Sequence, residues 1–169
     1  MKWLALLAVV LVAAGCGSTT SKTVTQSTTT TTTQAGPTLC AGSDLTASFN
    51  ELVGSAGAGQ ISYILKLTNT SPHACAVRFV GAQLLDASGK DLPTLAAPSA
   101  IPVTIGAGAS RRYEARFSPD VAGMGDNQTG ACEPVASTLR VMVGSDTVDA
   151  PIKPPTSVCE QGSLRFRAS

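Results

Sequence analysis

ISYILKLT, residues 61–68, decides how the chain beyond residue 40 is read. Ile61, Tyr63, Leu65 and Leu67 occupy every second position, with Ser62, Lys66 and Thr68 between them. A period of two places the first set on one side of an extended strand and the second on the other. RYEARF (112–117) repeats the pattern, with Tyr113, Ala115 and Phe117 inward against Arg112, Glu114 and Arg116. LRVMV (139–143) alternates likewise, and SLRFRAS (163–169) sets Leu164, Phe166 and Ala168 against Arg165 and Arg167. DLTASF (44–49), AVRFVGAQLLD (76–86), PVTI (102–105) and TVDAPI (147–152) bring the count to about eight short strands. No stretch after residue 40 keeps a helical period for three turns. Short alternating strands between Gly-, Pro-, Asn- and Ser-rich turns predict an immunoglobulin-like antiparallel β-sandwich over residues 38–169.

The chain before that domain has a different character. Lys2 precedes an apolar run from Trp3 to Ala14. The run falls short of the about 20 apolar residues that a spanning helix needs. It has the length of a signal-peptide core with small residues at its exit. Val12-Ala13-Ala14-Gly15-Cys16 resembles the bacterial lipobox, with Ala13 where Leu is typical. The resemblance implies cleavage before Cys16, a diacylglycerol on its thiol and acylation of the new amino terminus. One acyl chain binds a membrane reversibly, whereas two or three hold firmly. From Gly17 to Pro37 the chain is rich in Thr and Ser and nearly free of apolar residues, so it cannot offset the entropy of ordering. The expected organisation is a lipoprotein signal peptide (1–15), a lipidated Cys16 with a disordered Thr/Ser-rich stalk (16–37), and one domain (38–169). The expected location is the outer face of a bacterial cytoplasmic membrane.

With Cys16 assigned to lipid, Cys40, Cys75, Cys132 and Cys159 form an even set in an exported chain. If 44–49 forms a hairpin with 61–68 around GSAGAG (54–59), continuing the register brings Cys40 near Cys75. If 139–143 pairs with 147–151 around GSD (144–146), Cys132 comes near Cys159. These registers favour Cys40–Cys75 and Cys132–Cys159. The rival set, Cys40–Cys159 with Cys75–Cys132, would join first and last strands. Each bridge stabilises by about 3 kcal/mol in the chain-entropy model.

Charged residues make up 14% of the chain and aromatics 4%. Loss of Lys2 with the signal peptide takes the cations from 12 to 11, balancing 11 carboxylates. A neutral balance does not suggest nucleic acid as a partner. The cysteines lack the close spacing of a zinc site, and His73 is the sole histidine, so no metal or cofactor is expected. NTSPHAC (69–75) places His73 in a turn. A hydrolase reading would need Ser71 or Ser88 and Asp86 or Asp91 brought to it, which nothing in the spacing requires. SPDVAGMGDNQTG (118–130) lacks the register of a calcium loop, and reads as a polar loop. GAGASRR (106–112) has no phosphate-cradle Lys-Ser/Thr and reads as a turn. Asn69-Thr70-Ser71 and Asn127-Gln128-Thr129 match a glycosylation pattern but suit turns equally. Arg112, Arg116, Arg165 and Arg167 share outward strand positions, with Glu114 among them. They are the candidate contacts to an anionic surface, and an exposed strand face explains them as well.

CAGSDLTAS (40–48), LKLTNTSPHACAV (65–77), LLDASGKDL (84–92), IGAGAS (105–110), ACEP ahead of LRV (131–141) and VCEQGSLRF (158–166) follow one another in order. This series resembles the DUF4232 family of actinobacterial cell-envelope proteins, with Val77–Gly81 standing where a Gly-aromatic-Pro turn is typical. The resemblance implies a sandwich domain, extracytoplasmic placement and paired cysteines, and brings no catalytic residues. The functional expectation is a non-catalytic binding module, held at the membrane through Cys16 and facing an envelope protein or polymer. The alternatives are an envelope hydrolase built on His73 and a purely structural role.

Overall fold

Alternating apolar residues do form strands, ten of them among the described residues: β1 (Leu45–Glu51), β2 (Ile61–Asn69), β3 (Cys75–Val77), β4 (Phe79–Leu85), β5 (Leu95–Ala97), β6 (Val103–Ile105), β7 (Ser110–Phe117), β8 (Ala136–Val143), β9 (Asp146–Thr156) and β10 (Ser163–Ala168). The computed structural model describes residues 37–97, 101–129, 132 and 134–169. The expected signal peptide, Cys16 and the stalk up to residue 36 lie outside the described residues. Among those that are described, no helix is long and apolar enough to cross a membrane.

Eight strands form one sheet in the order β4-β8-β9-β1-β2-β7-β10-β5, and β3 pairs with β6 in a second. β9 serves both halves of the larger sheet. Its first residues pair antiparallel with β8, from Val143↔Asp146 to Thr138↔Pro151. Its Ile152 and Lys153 then run parallel beside Phe49 and Asn50 of β1. The sheet folds over on itself: the Phe79 ring of β4 lies 5.7 Å from Tyr113 of β7 and 4.8 Å from Phe166 of β10. Phe166, Phe49, Tyr63 and Phe117 continue this stack, at centroid distances of 6.4, 5.0 and 5.1 Å. All six aromatics of the domain thus share one core, with Leu65, Leu67, Leu139, Val141 and Leu164 filling around them. Buried Tyr63 satisfies its hydroxyl by donating to the Pro154 carbonyl at 2.8 Å, as a buried phenol must.

The all-β class follows the alternation that predicts it, but the pairing is not antiparallel throughout. β1–β9 and β10–β5 are parallel. A parallel neighbour needs a long crossover, and nearly the whole domain lies between β1 and β9. Period-two alternation sets which face is buried and says nothing of a partner's direction. The stretch 76–86 is also two strands rather than one. The chain leaves β3, paired with β6, and at Arg78 passes into β4, paired with β8. A register shift at Phe79/Gly81 accompanies the change, as bulges do where a strand turns. β5 carries no alternation signal and is held by its pairing with β10.

Cys40 is bonded to Cys75 and Cys132 to Cys159. The first bridge arises by a route other than hairpin extension. After Asn69 the chain turns into the second sheet, and residues before β1 run parallel to β3: Ala76 N donates to Thr38 O at 2.8 Å, and Cys40 N to Ala76 O at 2.9 Å.

Candidate functional site

Burial of Tyr113, Ala115 and Phe117 on β7 forces Arg112, Glu114 and Arg116 to the opposite, solvent-facing side. Burial of Leu164 does the same for Arg165 and Arg167 on β10, and burial of Leu65 and Leu67 for Lys66 on β2. Register then arranges these side chains in rows across the strands. Lys66 stands opposite Arg112, and Ile64 opposite Glu114, itself opposite Arg167. Ser62 stands opposite Arg116, which is opposite Arg165. Asn50, across from Ile64, has Lys153 of β9 as its parallel neighbour.

The four predicted arginines therefore share one face, as expected from their outward positions. Lys66 and Lys153 extend it. Of ten cations from residue 38 on (twelve in the chain, less Lys2 and Lys22), six occupy this face. Its outward strand positions hold one carboxylate, Glu114. That carboxylate accepts a hydrogen bond from Ser62 Oγ at 2.8 Å and lies 3.7 Å from Arg116 Nη2. Arg116↔Arg165 and Lys66↔Arg112 are like charges directly opposite, an arrangement that costs stability in a sheet. Among the described residues, Lys66, Arg112, Lys153, Arg165 and Arg167 form no ion pair.

At the β7–β10 end of this face, Arg116, Arg165 and Arg167 line a groove of about 340 Å³ together with Ser163 and two carboxylates, Glu114 and Glu160. Guanidinium groups arrayed beside a hydroxyl suit phosphate or carboxylate oxygens. No aromatic ring is exposed there, because all six are committed to the core.

Two further arginines lie away from this face. Arg140 holds Asp149 through two hydrogen bonds of 2.9 Å on the β8–β9 pair, and that contact raises its pKa. Arg111 is half-buried on the inward side, in register with Leu67.

His73 is exposed in its turn, and among the described residues no carboxylate or hydroxyl hydrogen-bonds to its ring. Its carbonyl is the functional atom, accepting from Asn69 Nδ2 at 2.7 Å. Asn69 is fully buried; Nδ2 also donates to the carbonyls of Ile105 and Gly106, and Oδ1 accepts from Ser71 N and Oγ. This asparagine ties the β2–β3 turn to the β6–β7 turn and offers no free amide for a glycan.

Asp126 is likewise not a freely solvated loop residue. It is 8% exposed, and its carboxylate accepts backbone N–H bonds from Gly123, Glu160 and Gln161. Burial pushes its pKa up, but the three donors from Gly123, Gln161 and Glu160 outweigh that and hold it below the usual carboxylate value. The donors include Glu160 and Gln161, both at φ 54°, so the carboxylate fixes two non-glycine residues in the left-handed region. Among the described residues, no three His, Cys, Asp or Glu side chains gather as a metal site would require.

Searches of curated proteins and of solved structures return no match. A family model described as a domain of unknown function, DUF4232, matches residues 40–168. That span begins at the first bridged cysteine and ends on the last residue of β10, taking in every strand. The chain belongs to the DUF4232 family.

Proposed function

We propose that this protein is a lipid-anchored extracytoplasmic binding module, tethered through Cys16, that offers the β2–β7–β10 face to anionic groups of the cell envelope. The observation that carries the binding role is the pair of like-charged cross-strand neighbours, Arg116↔Arg165 and Lys66↔Arg112. A face that served only to stay solvated would gain by alternating its signs across strands. Six cations against Glu114 and the groove's Glu160 instead create a local positive field that a near-neutral total charge conceals. Two disulfides fit an oxidising compartment, and the lipobox-like sequence supplies the tether.

Membrane fractionation of the full chain and of Cys16→Ala tests the tether, and retention on an immobilised anionic polymer at rising salt tests the face. Cys16→Ala is expected in the soluble fraction. The unaltered face should release polymer steeply as salt rises from about 50 to 200 mM, since screening and counterion release weaken such contacts. A Cys16→Ala chain that stayed on the membrane would refute the anchor. Retention unchanged by Arg116→Ser with Arg165→Ser would refute the face.

A further inference from the structure

The basic face has a repeat, and the repeat selects a class of anion. Along β7 and β10 the outward side chains come every second residue: Arg112, Glu114 and Arg116, flanked by Lys66, Arg167 and Arg165. Two strand residues advance roughly 7 Å, which is six backbone bonds. The rows Lys66/Arg112, Glu114/Arg167 and Arg116/Arg165 are therefore spaced by that step, with Arg167 supplying the middle cation beside Glu114, whose carboxylate is engaged by Ser62 and lies near Arg116. A phosphodiester polymer of a three-carbon polyol also repeats every six bonds, P–O–C–C–C–O–P, and extends to about 7 Å per phosphate.

We infer that the face binds a linear polyol-phosphate chain laid along β7 and β10, one phosphate to each cationic row, with its end in the groove lined by Arg116, Arg165 and Arg167. This rests on the anion-binding reading above and adds length and spacing to it. Three features favour a polymer over other anions. A lone phosphate would engage one row and leave two unused. A membrane surface is usually met by apolar side chains as well as cations, and the rows between β2 and β10 offer only the half-buried Ile64; Leu95 stands apart on β5. Single-stranded nucleic acid shares the six-bond repeat, but its affinity draws on aromatic stacking platforms, and the aromatics here are in the core. The hydroxyl of Ser163, which lines the groove, suits polyol oxygens instead.

The test is calorimetric titration of the full chain, in nonionic detergent, with synthetic glycerol-phosphate oligomers of one, two, three and six phosphates. Affinity should rise several-fold with each phosphate up to about three and then level off, with a salt dependence that steepens over the same range. Arg112→Ser, Arg167→Ser and Arg116→Ser should each remove about one phosphate from that dependence. Arg116→Lys should retain most of it, and Arg140→Ser, on the other layer, should leave it unchanged. A monomer binding as tightly as the hexamer would overturn the polymer register while leaving an anion site. An oligonucleotide of equal charge binding more tightly would overturn the polyol assignment. Vesicles of anionic phospholipid displacing the hexamer at equal phosphate concentration would replace it with a membrane surface. No binding by any oligomer would overturn both the register and the anion-binding reading.

Discussion

Asp126 shows how one carboxylate can hold a turn that its own residues disfavour. Left-handed backbone at Glu160 and Gln161 costs energy in each non-glycine residue, and the ionised Asp126 side chain offsets it with charge-assisted bonds. Its folded pKa lies below that of an ordinary aspartate, so the contribution is complete above about pH 5 and is lost as pH falls through the folded value. Urea denaturation at pH 7 should find Asp126→Asn less stable than the parent. At about pH 2–3 the gap between variant and parent should narrow; a gap of constant size across that range would contradict the role. Sequence reading placed Asp126 in a polar loop because two of its three partners are backbone N–H groups more than thirty residues away, which leave no trace in local composition. Asn69 escaped for the same reason. Its neighbours Thr70 and Ser71 signal a turn, while the carbonyls it binds belong to Ile105 and Gly106.

At the level of elements, β7 and β10 trade stability for charge. Arg116 and Arg165 face each other across one rung, so replacing either with a neutral β-former relieves repulsion. Arg165→Thr is expected to keep or raise the thermal midpoint, with a gain of up to about 1 kcal/mol, while weakening retention of polyanions. A fall of several degrees in the midpoint would instead make the arginine a structural member of the strand. Alternation made β2, β7, β8 and β10 legible, because a half-buried strand writes its two faces directly into sequence. β5 and the break at Arg78 were not legible, since both depend on which sheet edge is open nearby. The arginines could be assigned to outward positions from sequence alone. Their convergence with Lys66 and Lys153 depended on β7 lying between β2 and β10, and on β9 reaching β1.

Over the whole molecule, the two disulfides guard opposite ends. Cys40 precedes β1 where the described chain enters, and Cys159 follows β9, which runs parallel to β1. Being distant, the bridges should act independently. Replacing Cys40 and Cys75 with Ala should cost roughly 3–4 kcal/mol for a separation of 35 residues. Replacing Cys132 and Cys159 should cost slightly less, and both together nearly the sum, as read from urea midpoints under oxidising conditions. A pair of variants that melted no earlier than the parent would show the bridges to be redundant with the core. The first bridge has a mechanical consequence as well. Any pull arriving through residues before Pro37 meets Thr38–Cys40, laid alongside β3, and passes through the Cys40–Cys75 bond into the smaller sheet. β1, which begins only after that bond, is shielded from being peeled off its neighbours one rung at a time. The domain can then bear tension applied at Pro37 while the face on β7 and β10 keeps its shape.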